Sequence, residues 1–255
     1  MLQTEEQVEH FKSKGFLILR GVYDATEMGQ VSVILDELRD KESAKGRDAK
    51  YYETSPVTGE NMLVRIEKIL GDHNAKLTEI LFAPKAIECL TQLCGEAPVL
   101  FKDKINYKLP GCRPDKIHQD QAAGWGRYSD FFVTMTVTVD ENKRDNAAMR
   151  IMASGKYERK LMGEEWQPLA GEDLENASES EYMWLETNPG DVIFFDVYVP
   201  HGSPANTSNR SRRNIFLTFN RLSDGDMRAR YYTDKWENYA PNKVDDARSE
   251  DSFRV

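Results

Sequence analysis

The stretch that decides the fold of this chain is NPGDVIFFD, residues 188–196. Its first four residues predict a tight turn, because proline and glycine supply the backbone angles that such turns need. The apolar run that follows has the length of a buried strand. A histidine, His201, comes shortly afterwards in the sequence VPHGS, residues 199–203. We therefore expect His201 to lie just past a core strand.

Further strands are predicted on both sides of this segment. Residues alternate with a period of two, or form short apolar runs, over 99–109, 130–140, 147–152, 182–186 and 214–221. So many short strands with turns between them are typical of a closed or sandwiched β fold. We predict a mostly β protein with flanking helices, built as a double-stranded β-helix (jelly roll, cupin-like).

The amino-terminal third is predicted to be helical around one strand, 16–19. Thr4 and Gln7 have the spacing of a capping box, and Gly15 is a typical helix stop. Asp24 or Thr26 is expected to cap a longer helix that runs to Arg39. A helical period over 75–94 predicts two segments around Pro84. Residues 41–59 are polar and irregular, which predicts a mobile loop or lid.

Length and composition fit one enzyme domain, 1–255, with a helical part at about 1–97, a jelly-roll core at about 98–222 and a carboxy-terminal extension at about 223–255. No run of 18 apolar residues and no signal-peptide pattern occurs, so we expect a cytoplasmic protein. The 3 cysteines are an odd number without metal-ligand spacing, which predicts free thiols. The net charge of −9 argues against nucleic acid or an anionic membrane as partner.

Two histidines and one aspartate form the candidate metal site. His118 and Asp120 flank Gln119, and His201 returns much later in the chain. Alternate residues of a strand point the same way, so a strand end can offer two ligands to one metal. Two imidazoles and one carboxylate are the facial triad of non-haem Fe(II) oxygenases. A bare His-x-Asp is common by chance, and the case depends on His201 and on Arg212 beyond it.

The chain resembles the phytanoyl-CoA hydroxylase-like family of Fe(II)- and 2-oxoglutarate-dependent dioxygenases. The likeness runs from 8–20 through 101–110, the His118 and Asp120 motif and 189–191 to Arg212. It implies that His118, Asp120 and His201 bind Fe(II), with 2-oxoglutarate and O2 as co-substrates and ascorbate as an aid in vitro. It also implies that Arg212 binds the far carboxylate of 2-oxoglutarate. Halogenating relatives carry a small residue where Asp120 stands, so a hydroxylase is expected.

The strand at 101–108 carries the next candidates. A period of two puts Lys102, Lys104, Asn106 and Lys108 on one face, and Phe101, Ile105 and Tyr107 on the other. Taken alone, this pattern favours an edge strand whose lysines face water. The resemblance implies instead that the strand lines the site and that Asn106 contributes to 2-oxoglutarate binding. Thr136 and Ser203 are further candidates for co-substrate contacts, although threonine in a strand is often only β-branched filler.

The resemblance also gives a substrate prediction. Residues 104–108, 195–201 and 228–232 look like the bacterial branch that hydroxylates aminoalkylphosphonates at the carbon next to phosphorus, such as 2-aminoethylphosphonate or its N-methylated form. The cationic candidates for binding the phosphonate are Lys104, Lys108, Arg113, Lys116 and Arg150. Candidates for the ammonium group are Glu67, Tyr107 and Trp125, although a tryptophan packed under a surface loop is equally compatible with the sequence.

Two segments depart from the family pattern. Residues 146–149 read NAAM where relatives often have Asn-Gly-Cys-Leu, and 153–156 read ASGK where they have Pro-Gly-Ser-His. In the family that region usually borders the substrate. The departure therefore leaves the iron assignment unaffected but weakens the substrate prediction that the resemblance implies. Alternatives are the hydroxylation of another small molecule, such as an amino acid or a natural-product intermediate, and a catalytically silent jelly-roll binding protein.

Overall fold

The computed structural model describes residues 4–43, 46–171, 179–239 and 241. The helices are α1 (Glu5–Lys14), α2 (Ala25–Asp40), α3 (Ala75–Leu81), α4 (Pro84–Cys94) and α5 (Arg228–Tyr239). The strands are β1 (Phe16–Leu19), β2 (Ala49–Thr54), β3 (Asn61–Glu67), β4 (Pro98–Lys108), β5 (Asp115–His118), β6 (Phe132–Thr138), β7 (Met149–Met152), β8 (Tyr182–Leu185), β9 (Val192–Asp196), β10 (His201–Ser203) and β11 (Arg212–Arg221). Residues 242–255 of the predicted extension lie outside the described part.

Two antiparallel sheets form the body of the protein. The large sheet has the strand order β1-β9-β6-β11-β4-β3-β2, and the small sheet has the order β5-β10-β7-β8. Neighbours in these sheets are mostly distant in sequence, as in a jelly roll. The predicted fold class, mostly β with flanking helices, is confirmed.

The helix boundaries follow from local capping chemistry. Gln7 N donates to Thr4 Oγ1 at 3.2 Å, and Thr4 N donates to Gln7 Oε1 at 3.0 Å, which completes the predicted capping box of α1. Asp24 caps α2 in the same way, with Glu27 N donating to its carboxylate at 2.8 Å. Pro84 occupies the first turn of α4, where its missing N–H costs nothing.

Each sheet face buries a different cluster. The outer face of the large sheet packs Val137, Ile105 and Leu217 against the helices, with Leu35 of α2 and Leu90 of α4 among the fully buried residues. The inner face is apolar only in part. Its Ile193, Phe195 and Phe216 meet Met149 and Ile151 of the small sheet. The polar remainder of that inner face is where the candidate site lies.

The prediction of a loop or lid at 41–59 is wrong for part of that stretch. Residues 49–54 form β2, which pairs with β3 and extends the large sheet. The sequence does not predict β2 and β3 as strands, because both carry charged and polar side chains, including Arg65 and Glu67 of β3. Tyr51 of β2 is nevertheless 2% exposed, so the strand is part of the packed structure.

A bulge changes the predicted facing of Phe101. The register of β4 against β11 shifts between Thr218 and Phe219, which leaves Phe101 as the extra residue. Phe101 therefore packs with Phe132 and Trp125 at one end of the fold, and not with Ile105 on the outer face. Tyr231 and Tyr232 of α5 complete this aromatic cluster.

The turn before β9 depends on Gly190. Its φ is 88°, in the left-handed region, and a Cβ there would lie 2.1 Å from the carbonyl oxygen of Tyr23. Tyr23 N also donates a hydrogen bond to Gly190 O at 3.1 Å, so the two residues are held together. The turn therefore joins β9 to the segment before α2.

We expect Gly190→Ala to lower the free energy of unfolding by about 3 kcal/mol, since backbone strain and a backbone clash combine there. Gly21→Ala is the matched control. Gly21 has a φ of 59° but no heavy atom within 4 Å of its added Cβ, so a loss of about 1 kcal/mol is expected. Urea unfolding of both variants measures the difference. Equal losses would show that contact with Tyr23 does not matter.

Two smaller predictions concern the cysteines and membrane segments. Cys89, Cys94 and Cys112 are all free and buried, as expected from their number and spacing. Within the described residues, no helix has the length and apolar character needed to cross a membrane.

Candidate active site

His118 and His201 meet across two neighbouring strands of the small sheet. They are direct partners in the antiparallel pairing of β5 with β10, and their ring centroids are 4.4 Å apart. Asp120 lies in the 3-10 turn that follows β5. One ligand atom from each of the three residues lies within 4.8 Å of the other two. The structure thus brings together the triad that the sequence predicts.

Backbone carbonyls orient both imidazoles. His118 Nδ1 is 2.7 Å from Lys116 O, and His201 Nδ1 is 2.9 Å from Val199 O. A proton on each Nδ1 leaves the Nε2 lone pair free, which is the form that binds a metal. Burial, with His118 nearby, lowers the pKa of His201 to about 4. His201 is therefore neutral at physiological pH, as a metal ligand must be.

Asp120 supplies the carboxylate. Its oxygens lie 3.7 Å from His118 Nε2 and 3.9 Å from His201 Nε2. Burial alone would raise its pKa, but the two neighbouring imidazoles and Lys104 hold the pKa below the ordinary value. The donor set of two imidazole nitrogens and one carboxylate fits Fe(II).

Gln119 anchors the turn between the two neighbouring ligands. Its side chain donates to the carbonyls of Lys160 and Tyr198, and its Oε1 accepts from Met162 N at 2.7 Å. Gln119 is 1% exposed. These bonds fix the middle residue of the motif, so the side chains on either side of it are held in place. No pattern in the sequence predicts this role.

A cavity of about 160 Å³ adjoins the triad. Its wall includes these predicted residues: Lys104, Asn106, Tyr107, Lys108, Arg113, Lys116, His118, Asp120, His201, Ser203 and Arg212. The cavity is open enough for a small molecule and has both apolar and charged walls. Most of the residues selected from the sequence are therefore brought to one place.

Arg212 faces the cavity from the start of β11 and is 4% exposed. Its Nε has no hydrogen-bond partner among the described residues. The side-chain amide of Asn214 is satisfied in one of its two orientations. In that orientation Asn214 Oδ1 accepts a hydrogen bond from Arg212 Nη1 at 2.8 Å. Burial lowers the pKa of Arg212 to about 10, so the guanidinium remains charged. A buried cation without an ion-pair partner is suited to receive a carboxylate.

The other co-substrate candidates are placed differently from one another. Asn106 lines the cavity, and its buried Oδ1 has no partner among the described residues. Ser203 also lines it, but its hydroxyl donates to Asp115 at 2.8 Å. Thr136 is fully buried with an unpartnered hydroxyl, yet it is not part of the cavity wall. It is aligned with Phe216, which is part of the wall.

The predicted basic residues fall into two groups. Lys108 donates to Asp115 and to Arg113 O, each at 2.9 Å, and Arg113 forms a two-point ion pair with Glu53 at 2.8 Å. These charges are already neutralised. Lys104 has neither a hydrogen bond nor an ion pair with the described residues, and burial lowers its pKa. Lys104 is thus a cavity cation that remains available.

Four substrate candidates do not present their functional groups to the cavity. Trp125 packs against Phe101 in the aromatic cluster, which agrees with the alternative of a packed tryptophan and not with a substrate contact. Tyr107 belongs to the wall, but its hydroxyl donates outward to Leu35 O at 3.4 Å. Arg150 lies outside the wall, stacked on Tyr182 and Trp184. Glu67 is 1% exposed and held by buried cations, because β3 places it behind the wall.

Several wall residues were not selected from the sequence: Glu53, Val64, Cys112, Asp115, Met149, Pro168, Gly202 and Phe216. Arg65 also lines the cavity, from strand β3. Met149 belongs to the segment that departs from the family pattern, so that departure does border the site.

Comparison with known proteins agrees with this geometry. The family model for phytanoyl-CoA dioxygenase (PhyH) matches residues 11–214. A 2-aminoethylphosphonate dioxygenase from the uncultured bacterium HF130_AEPn_1 is 38% identical over 238 residues, which cover 93% of this chain and 89% of the relative. A methylphosphonate hydroxylase from Gimesia maris is 29% identical over 237 residues, covering 93% and 88%.

Solved structures share the fold. EctD from S. alaskensis, in its structure with 2-oxoglutarate and 5-hydroxyectoine, superposes with a TM-score of 0.73 at 21% identity, covering 87% of this chain and 77% of that one. SnoK, a non-haem α-ketoglutarate-dependent carbocyclase from nogalamycin biosynthesis, gives 0.68 at 15% identity, covering 86% and 85%. The predicted resemblance and enzyme class are confirmed. The chain belongs to the phytanoyl-CoA dioxygenase (PhyH) family, in the class of iron- and 2-oxoglutarate-dependent dioxygenases.

Proposed function

We propose that this chain hydroxylates a small aminoalkylphosphonate, with 2-aminoethylphosphonate or its N-methylated form as the best candidates, at the carbon next to phosphorus. The observation that carries the proposal is the pair of unneutralised cations, Lys104 and Arg212, that share one small cavity with the His-Asp-His triad. Two anionic molecules, 2-oxoglutarate and a phosphonate, would use both. The 38% identical 2-aminoethylphosphonate dioxygenase supports the choice of substrate.

His118, Asp120 and His201 are the proposed iron ligands. When iron is bound, the metal and co-substrates supply the oxidant, and each turnover converts 2-oxoglutarate, O2 and substrate into succinate, CO2 and hydroxylated product. The protein's own task is then to bind, orient and exclude water. The carbonyls of Lys116 and Val199 keep both imidazoles in the metal-binding tautomer. Phe195, whose ring centroid is 4.7 Å from that of His201, shields one ligand from solvent.

Arg212 is proposed to hold the far carboxylate of 2-oxoglutarate. Its buried position makes the pairing strong, because little water competes for the guanidinium donors. Asn106 is proposed to contribute a polar contact beside it, since its Oδ1 is buried and unpartnered. Ser203 is a weaker candidate because Asp115 already accepts its hydroxyl proton. Thr136 contributes only if the cavity wall shifts to include it.

Lys104 is proposed to attract the phosphonate. It lies on β4, on the same face as Asn106, and Asp120 is among the charged groups that act on it. An ammonium group next to a phosphonate dianion would be attracted by two carboxylates in the cavity wall, Glu53 and Asp115. Each of these has a cationic partner already, so we expect the phosphonate to dominate recognition.

Matched substrate analogues test this proposal. We expect 2-aminoethylphosphonate to stimulate succinate formation by the iron-loaded protein, with a hydroxylated phosphonate detected by phosphorus NMR. β-Alanine replaces the phosphonate by a carboxylate, which has one oxygen fewer. It should give at most a tenth of that rate, because it would lose one charge-assisted hydrogen bond, worth about 1.5–3 kcal/mol. Ethylphosphonate, which lacks the amine, should retain more activity than β-alanine. Faster turnover of β-alanine, or of another amino acid, would discard the phosphonate assignment and keep the oxygenase.

A further inference from the structure

Arg65, in the cavity wall, is held in place although its N–H groups make no hydrogen bond with other described residues. Arg65 of β3 lines the cavity, and it is aligned with Asn106 of β4. Its Nε lies 2.9 Å from Glu67 Oε1, but the alignment is too poor for a hydrogen bond. Its guanidinium carbon lies 4.3 Å from the centre of the Tyr51 ring. An ionic contact and a stacking contact thus hold the group without using its N–H donors on other described residues.

The charge of Arg65 is not cancelled by Glu67. Glu67 is shared among three basic side chains: Lys235 Nζ lies at 2.7 Å, Arg65 Nε at 2.9 Å and Lys102 Nζ at 3.8 Å. All four side chains are largely buried, with Glu67 at 1% exposure and Arg65 at 15%. Lys235 comes from α5, far from β3 in sequence. Burial lowers the pKa of Lys102 well below its ordinary value and that of Lys235 to about 7. Burial alone would also lower the pKa of Arg65, but Glu67 and other nearby groups raise it, so Arg65 stays charged. Lys235 lies closer to Glu67 than Arg65 does, so Glu67 is not an exclusive partner of Arg65.

We propose that Arg65 is a specificity-determining residue that binds the phosphonate group of the substrate together with Lys104, and that Lys235 acts as its positioning residue by occupying Glu67. This inference rests on the proposed function and deepens it. A phosphonate has three oxygens, which match a guanidinium fork and an ammonium better than a carboxylate does. Arg65 and Lys104 lie on paired strands and face the same interior. Because Arg65 is already immobilised, binding costs little additional side-chain entropy.

The direct test is the dissociation constant of 2-aminoethylphosphonate, measured by anaerobic calorimetry on protein loaded with Fe(II) and 2-oxoglutarate. We expect Arg65→Met to raise this constant about 100-fold, because two charge-assisted hydrogen bonds are lost. Arg65→Lys keeps the charge without the fork and should recover about tenfold of the loss. The dissociation constant of 2-oxoglutarate should change less than about threefold in both variants, since Arg212 is untouched.

Arg150→Met is the matched control. Arg150 is also stacked on aromatic rings, but it lies outside the cavity wall, so its removal should leave the phosphonate constant within about threefold of wild type. Lys235→Met should raise the constant about tenfold, because Glu67 would then neutralise Arg65, and Lys235→Arg should restore it. Circular dichroism confirms that each variant is folded before titration.

The possible results distinguish a failure of the Arg65 assignment from a failure of the proposed hydroxylation. An Arg65→Met constant within threefold of wild type, or an equal rise for 2-oxoglutarate, would overturn the role of Arg65. No detectable binding of the phosphonate to the wild-type protein would overturn it as well. Wild-type binding that depends on Arg65 but leads to no hydroxylated product would overturn the proposed function and leave the anion site in place.

Discussion

Replacing His201 or Asp120 by alanine is expected to abolish both iron binding and phosphonate-dependent succinate formation. Each residue would provide one of three protein ligands, and loss of an outer-shell partner alone already costs about 10–100-fold in metal affinity or activity. The fold should survive. The lowered pKa of Asp120 means that its neighbours stabilise the ionised carboxylate, so its removal is expected to cost some stability without unfolding the protein.

Two measurements check this expectation. Anaerobic addition of Fe(II) at 100 times its dissociation constant should stabilise the wild-type protein by about 2.7 kcal/mol, and the two variants should show no such stabilisation. His10→Ala is the matched control, because His10 lies on α1 and packs against Phe16, away from the cavity. Iron-dependent stabilisation and turnover that persist in both His201→Ala and Asp120→Ala would refute the assignment of the metal site.

Replacing Arg212 by methionine is expected to raise the KM for 2-oxoglutarate about 100-fold. The buried guanidinium has a free Nε and no ion-pair partner among the described residues, so a co-substrate carboxylate would gain one or two charge-assisted hydrogen bonds. Arg212→Lys should show a smaller rise because it keeps the charge. In the absence of 2-oxoglutarate, Arg212→Met should be as stable as wild type or more so, since a buried unpaired charge is removed.

Arg213→Met is the matched control for this position. Arg213 is the next residue of β11 and points to the opposite face, where it pairs with Asp140 at 2.8 Å and Asp36 at 3.1 Å. Its loss should lower stability without changing the KM for 2-oxoglutarate by more than about threefold. Steady-state succinate formation over a range of 2-oxoglutarate concentrations gives both values. A normal KM in Arg212→Met would assign the co-substrate carboxylate to another residue.

The sequence predicts well those parts of the protein in which one signal dominates. The apolar run at 192–196 became β9 with the predicted boundaries, because a buried strand needs apolar residues on both faces. The His118-x-Asp120 spacing predicted two ligands on one strand end, and the family resemblance implied that His201 joins them, which the pairing of β5 with β10 brings about. Helix caps at Thr4 and Asp24 were also predicted, since capping depends on neighbours in the chain.

Other parts depend on contacts between distant segments. The strands β2 and β3 were missed because their inner face carries charges that only the folded cavity and Lys235 of α5 explain. Glu67 looked like an available carboxylate, yet three buried basic side chains surround it. Trp125 looked like a cavity wall, yet the bulge at Phe101 creates an aromatic cluster that receives it. No local pattern contains these pairings.

The measurement that tests the account most directly is the stoichiometry of wild-type turnover. Purified protein with Fe(II), ascorbate, O2 and 2-oxoglutarate is incubated with 2-aminoethylphosphonate, and succinate and hydroxylated phosphonate are quantified together. We expect one hydroxylated phosphonate for each succinate formed, and only background succinate without the phosphonate. Succinate formed at the same rate with and without the phosphonate, and no hydroxylated product at full iron occupancy, would contradict it.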